Sequence, residues 1–344
     1  MPINTVPLAA GLQITSAAML LEELVAQRGH LIVDGAMGTE MFARGLMPGD
    51  APERMNLDAD EKVQEIHQAY VDAGSDIFLS NSFGGTRYRL ALHKLDDRVI
   101  EVNEAAGANG RIVADRADRK ILVAGSVGPT GELIAPLGPL EFTDAVAAFA
   151  EQAEGLSRGG VDIVWIETMS SLVEVEAAVV GTRKSCDLPI AVTMSFDTAG
   201  RTMMGVTGEV AGTRLTELGV VAMGANCGNN LPDTEAALGE MLAVSTVPVI
   251  SKANAGIPQW HGAELSYSGT PEVMGAHAHR VRQDGAEIIG GCCGNTPAHV
   301  SFIRGVLDGT IAVPDVQTPN SSTGRRSDAV RDEDRSRRRR RRRG

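Results

Sequence analysis

The chain has 344 residues, 43% of them apolar, with 39 glycines, a net charge of −12 and only four cysteines. So few cysteines over this length exclude a small oxidised disulfide scaffold and point to a reducing, cytoplasmic setting. The first 29 residues lack a basic start and hold Glu22, Glu23 and Arg28 within a helical pattern, so they read as neither signal peptide nor membrane anchor.

The charge is unevenly placed. Residues 325–344 carry 11 arginines against 4 acids, whereas residues 1–324 carry 21 basic against 40 acidic side chains, net −19. An acidic body argues against nucleic acid as a partner, and the run Arg337 to Arg343 cannot bury a core. With the linker-like stretch Pro314 to Gly324, this predicts a disordered basic tail over 314–344, a solvated appendage whose removal leaves the chemistry intact.

Eight apolar runs read as strands: Leu31 to Ala36, Ile77 to Phe83, Ile121 to Val127, Ile163 to Thr168, Ile190 to Phe196, Val220 to Cys227, Val249 to Ala253 and Ile288 to Cys292. They are nearly continuous rather than alternating, as expected of parallel strands covered on both faces. Each interval is long enough for one helix. Helix starts are marked by Ser171 with Glu174, Thr270-Pro271 and Thr296-Pro297. A phrase recurs before strands, Gly74-Ser-Asp-Ile77, Gly160-Val-Asp-Ile163 and Gly285-Ala-Glu-Ile288, in which glycine supplies the left-handed residue after a helix. Eight such units with no doublet suggesting a hairpin predict a single-domain (β/α)8 TIM barrel over residues 18–310. An open doubly wound sheet would want Gly-x-Gly-x-x-Gly after the first strand; Asp34-Gly-Ala-Met-Gly-Thr39 stands there instead.

In a barrel the site is built at the C-terminal ends of the strands. The residues there are Asp34, Ser80-Asn-Ser-Phe83, Glu167, Asn226-Cys227 and Cys292-Cys293. Three cysteines brought to one mouth suit zinc, Zn2+, and leave one tetrahedral position for a substrate thiol, whose proton the metal would help remove. The competing reading of Cys292 and Cys293 is a strained vicinal disulfide. Cys186 reads as a small buried hydrophobe. Asp34 and Glu167 could hold the ammonium of an amino-acid thiol, while Ser80 and the backbone amides after Gly35 receive its carboxylate. His277 and His279 do not share a helix face and read as surface residues, and no Ser/His/Asp set is legible.

Asp34-Gly-Ala-Met-Gly-Thr39, Ser80-Asn-Ser-Phe83, Gly125-Ser-Val-Gly-Pro129, Gly224-Ala-Asn-Cys227 and Gly290-Gly-Cys-Cys-Gly294 together resemble the homocysteine S-methyltransferase family across roughly residues 18–310. Through Asn81 to Leu90 and Glu167 to Ser170 the chain is most similar to the bacterial betaine-homocysteine branch. The resemblance implies methylation of homocysteine to methionine, with Cys227, Cys292 and Cys293 as zinc ligands. It further implies Asp34 and Glu167 at the substrate amine and Gly35 and Ser80 at its carboxylate. The homocysteine sulfur would attack the donor methyl in line, with a neutral amine or sulfide leaving.

Members of the family use different methyl donors. A trimethylammonium donor such as betaine wants aromatic faces, and Trp165, Trp260, Tyr70, Tyr88 and Tyr267 are the rings available, with Trp165 two residues before Glu167. Met55, where betaine users would carry tryptophan, and Gly84, where animal betaine enzymes have tyrosine, depart from that branch. A sulfonium, methylated-thiol or methylcorrinoid donor therefore stays open, as do a corrinoid-protein partner, a homo-oligomer, and a non-catalytic zinc-binding role.

Overall fold

The computed structural model describes residues 16–316 apart from 198, 257, 262 and 263. Of the expected basic tail, residues 317–344 lie outside the described residues.

The eight expected strands form one parallel sheet. They are β1 (Leu31–Ile32), β2 (Ile77–Leu79), β3 (Leu122–Val127), β4 (Ile163–Met169), β5 (Ile190–Met194), β6 (Ala222–Cys227), β7 (Val249–Ala253) and β10 (Ile288–Gly291). The order around the sheet is β1-β10-β7-β6-β5-β4-β3-β2, and a parallel bridge between Val33 and Ile77 joins β1 to β2 and closes the ring. Eight helices form the outer layer: Asp60–Asp72, Val99–Arg116, Phe142–Arg158, Leu172–Ser185, Gly208–Glu217, Leu231–Leu242, Pro271–Asp284 and Pro297–Leu307. The fold is a (β/α)8 TIM barrel.

Strand parity divides the core in two. Leu31, Ile77, Leu122, Ile163, Ala191, Ala222, Ile250 and Ile288 point into the lumen, with Leu79, Ala124 and Trp165 above them. Ile32, Phe78, Val123, Val164, Val192, Met223, Val249 and Ile289 face the helices. Leu21, Leu24 and Val25 of helix Ser16–Arg28 join the lumen cluster and close the bottom of the barrel. Because side chains alternate along a strand, the residue two places after a lumen residue also points inward, one layer nearer the mouth. That step runs Ala124 to Ser126, Trp165 to Glu167, Gly224 to Asn226, Ile250 to Lys252 and Gly290 to Cys292.

The recurring phrase before strands has a physical cause. Gly74, Gly160 and Gly285 take φ of +102°, +80° and +118°. In the first two repeats the acid then reaches the neighbouring strand: Asp76 Oδ2 accepts the Ile32 N–H at 2.9 Å, and Asp162 Oδ2 accepts the Val123 N–H at 2.8 Å. The expected caps are present too, since Ser171 accepts from the Glu174 N–H and Thr270 from the Val273 N–H.

Two expectations are corrected. A hairpin does exist: β8 (Pro258–His261) and β9 (Glu264–Tyr267) pair antiparallel in the excursion after β7. Four-residue strands on an excursion from the barrel leave too short a pattern to separate from loop. His277 is not on the surface but fully buried, because it lies on the stripe Met274, Ala278 and Val281 at helical spacing. Its ring nitrogens meet Glu235 Oε1 at 2.7 Å and Ser251 Oγ at 3.1 Å. The connectivity is that of a nucleophilic triad, but Ser251 is 0% exposed and no substrate reaches it, so the set ties helix to strand.

Candidate active site and metal centre

Cys227, Cys292 and Cys293 converge at the mouth, their sulfurs all within 4.8 Å of one another and those of Cys227 and Cys292 2.9 Å apart. They come from β6 and from the turn after β10, with β7 between them. A tetrahedral zinc with Zn–S bonds of ~2.3 Å wants sulfurs ~3.8 Å apart, between the 2.9 Å of the Cys227–Cys292 pair and the 4.8 Å within which all three lie. The donor set and its open face therefore fit zinc. All four cysteines are free thiols, and Cys186 stands apart, bonded through its sulfur to the Thr182 carbonyl. Hydrogen bonds from Cys227 and Cys292 hold the Cys293 thiol far below its ordinary pKa, and the hydrogen bonds of Cys227 with Cys292 and then Cys293 push Cys227 up.

The backbone explains why the cysteines sit there. Cys227 takes φ +58° at the end of β6, followed by Gly228 at +77°, which turns its sulfur over the mouth. The turn carrying Cys292 and Cys293 is pinned to the extension of β7: the Cys292 N–H donates to the Ala253 carbonyl, the Cys293 N–H to Asn254 Oδ1, and the Ala255 N–H to the Cys293 carbonyl. Asn295 then donates from Nδ2 to the carbonyls of Ala253 and Cys292. Gly35 is pressed against this turn; a Cβ on it would lie 2.1 Å from the Asn295 carbonyl oxygen. The first βα loop and the cysteine turn are one packed unit.

Below the sulfurs lie the acids. Asp34 is 1% exposed and both its oxygens are engaged, Oδ1 with Lys252 Nζ at 2.6 Å and Oδ2 with the Leu79 N–H at 2.8 Å. Glu167 is 7% exposed and accepts the Ser126 hydroxyl at 2.5 Å on Oε1. Burial pushes its carboxyl up to about 7, against the pull of Lys252. Burial raises Asp34 as well, opposed by Lys252.

Ser80 belongs to a closed chain of hydroxyls. Ser82 Oγ donates to the Ser126 carbonyl, so its 2.7 Å contact with Ser80 Oγ has Ser80 as donor, and Ser80 Oγ accepts the Ser126 N–H. Its proton is committed within the protein. The Gly35 N–H, by contrast, has no acceptor among the described residues.

Of the five rings considered from sequence, Trp165 is 1% exposed within the lumen, with Nε1 donating to Thr193, and Tyr70 is 0% exposed, bonded to the carbonyls of Ala36 and Asn295. Tyr88 packs on the outer layer, and the Trp260 side chain lies outside the described residues. Tyr267 is at the cysteines: its ring lies on Gly294, where a Cβ would meet Cγ at 2.3 Å, and burial with the nearby sulfurs raises its phenol to about 12. Met55 is buried among core residues.

Sequence reading placed Asn226 at the mouth without a role and missed Ser126, Lys252, Asn254 and Asn295 as members of the site. For Ser126 and Lys252 the signal was strand parity; for Asn254 and Asn295 none exists short of the folded turn.

The sequence profile described as homocysteine S-methyltransferase matches residues 31–307. Methionine synthases of Mycobacterium tuberculosis and Mycobacterium leprae are 31% and 30% identical over 83% and 85% of this chain, which spans only 25% and 26% of their length. The crystal structures of the Escherichia coli homocysteine methyltransferase MmuM, in oxidised and metallated forms, superpose with TM-scores of 0.72 and 0.71. Both are 24% identical and cover 83% of this chain and 98% of theirs, a likeness of fold. The chain is therefore a member of the homocysteine S-methyltransferase family.

Proposed function

We propose that this protein transfers a methyl group from a small onium donor, with betaine the first candidate, to the thiol of homocysteine, forming methionine in the cytoplasm. The observation that carries the reading is the convergence of Cys227, Cys292 and Cys293 directly above buried Glu167. The names of the mycobacterial relatives support methionine as product.

The three cysteines would hold zinc, which supplies a positive centre that lowers the pKa of a thiol brought to it. Asp34 and Glu167 supply the negative field for the substrate's ammonium. Gly35 offers its N–H to the carboxylate, and Ser80 holds Ser126 in line to orient Glu167. In the transfer a carbon–sulfur bond forms as the donor's carbon–nitrogen bond breaks; the thiol proton goes to solvent and the donor leaves as a neutral amine. No side chain need protonate that leaving group. The protein's part is alignment and removal of water from oppositely charged reactants.

The scarcity of rings favours a second reading of the donor. Tyr267 is the one aromatic ring placed at the cysteines among the described residues, whereas a trimethylammonium ion is best held by several. A sulfonium or methylated-thiol donor, or a methylcorrinoid carried by a partner protein, is the alternative.

The test is methionine formation by reduced, zinc-loaded protein given homocysteine and betaine alone. Turnover establishes reaction and donor together. Homocysteine binding without turnover moves the donor to the alternatives, and failure with all of them leaves a non-catalytic binding role. A zinc content unchanged in Cys227→Ala would sink the metal assignment.

A further inference from the structure

Lys252 is a lysine buried inside the barrel lumen. It is 2% exposed, on β7, one inward step above Ile250, and its Nζ lies 2.6 Å from Asp34 Oδ1. A buried ammonium persists only when paired, and a buried carboxylate likewise. The two acids of the site differ in this respect. Asp34 is closed, with one oxygen on Lys252 and the other on the Leu79 N–H. Glu167 is open: Ser126 occupies Oε1, and Oε2 has no partner among the described residues.

From this asymmetry we infer that Lys252 is a positioning residue that divides the work of the two acids: it locks Asp34 into a self-neutralised pair and leaves Glu167 as the one carboxylate that receives the substrate's ammonium. The inference rests on the proposed amino-acid thiol substrate and deepens it. Asp34, Glu167 and Lys252 together leave one net negative charge on the floor of the mouth, matched to one ammonium. Without Lys252 the floor would hold two acids against that single cation, with the three cysteine sulfurs beside them. Burial works against the Lys252 ammonium, but Asp34 and Glu167 raise its pKa above the ordinary value. Asp34 then serves the fold of the mouth, tying β7 to the backbone of β2 through Leu79, and reaches the substrate only through the field it shares with Lys252.

The test is calorimetric binding to the zinc-loaded, reduced full chain of two ligands: homocysteine, and mercaptobutyrate, which has the same thiol and carboxylate but no ammonium. Wild-type protein is expected to prefer homocysteine by about 10- to 100-fold, the worth of one charge-assisted hydrogen bond. Glu167→Gln abolishes that preference. Lys252→Met weakens both ligands, because it leaves Asp34 buried and unpaired. The double variant Asp34→Asn/Lys252→Met removes both members of the pair; it recovers at least about tenfold of the lost homocysteine affinity and keeps the preference over mercaptobutyrate. Loss of the preference in the double variant, as in Glu167→Gln, overturns the inference, since Asp34 would then itself be holding the ammonium. If Lys252→Met does not fold, the comparison of the double variant with Glu167→Gln still decides. Wild-type protein that binds neither ligand overturns the proposed function instead, and with it this inference.

Discussion

Asn226 holds Thr168 with both ends of its amide: Oδ1 accepts the Thr168 N–H at 2.8 Å and Nδ2 donates to Thr168 Oγ1 at 2.7 Å. Thr168 needs holding, because it stands at φ +61° where the register between β4 and β5 shifts, a conformation that costs a β-branched residue about 1–3 kcal/mol. The same Nδ2 lies 3.5 Å from the Cys227 sulfur and 3.8 Å from that of Cys292. Asn226→Ala should therefore release Thr168 and remove the amide that faces the sulfurs of Cys227 and Cys292. The expected outcome is a zinc affinity lower by about 10- to 100-fold in competition with a chromogenic chelator, while Cys186→Ala leaves it unchanged.

Glu167 sets a pH dependence for substrate binding. Its carboxyl is pushed up to about 7 by burial, so below neutrality it is protonated and carries no charge for an ammonium. Both ligands would lose the thiol proton on binding a zinc at the cysteines, so the ratio of homocysteine to mercaptobutyrate affinity isolates Glu167: it should rise as pH increases through about 7 and flatten above it. Glu167→Gln should remove that rise. Calorimetry of both ligands at fixed ionic strength from about pH 5.5 to about 8.5 measures the ratio; a ratio flat across pH 7 contradicts the proposed role.

Much of this site was legible because strand ends are chemically distinctive. Cys227, Cys292, Asp34 and Glu167 punctuate apolar runs, and a run's last polar residue in a parallel barrel has nowhere to point but the mouth. Lys252 was overlooked although it obeys the same rule, since a lysine inside an apolar run reads as a strand terminator until its partner is known. That partner, Asp34, is 218 residues away. Ser126 follows from parity with Ala124, a test applied to Trp165 and Glu167 alone, whereas Asn226 was placed at the mouth as the end of its run. Parity also shows the limit of the method for Trp165: sharing a face with Glu167 placed it one layer below, sealed in the lumen rather than beside a donor. His277 was misjudged by comparing it with His279 instead of with Met274 and Val281.

Two glycines should respond to alanine with opposite sign. Gly224 on β6 pairs with Ile250 on β7, and a Cβ on it would lie 1.9 Å from the Ile250 carbonyl oxygen, a backbone atom that cannot move without opening the barrel. Gly224→Ala is expected to cost about 3 kcal/mol or more, seen as a lower urea midpoint. Gly239, within helix Leu231–Leu242, has nothing within 4 Å of the added carbon. Gly239→Ala should instead stabilise by about 0.5–1 kcal/mol through helix propensity and a less flexible unfolded chain. The pair separates steric need from conformational permissiveness in one experiment.

His67 should make the barrel sensitive to acid. It is 0% exposed on helix Asp60–Asp72, stacked on Phe78 with ring centroids 4.4 Å apart, and neither ring nitrogen has a partner among the described residues. Burial lowers its pKa from the ordinary histidine value of 6.5 to about 3. Between those values the unfolded chain binds a proton that the folded chain refuses, so this residue's contribution is fully present above pH 6.5. It is lost as pH falls toward 3, at up to about 1.4 kcal/mol per unit. His67→Phe keeps the stack, removes the titration and removes two unpaired polar atoms, each buried at a cost of about 1–3 kcal/mol. It should raise Tm at neutral pH and give a shallower fall in Tm between pH 6.5 and 4.5 than wild type. An unchanged slope there would mean that the folded protein accepts the proton on His67 through a rearrangement that brings solvent to the ring.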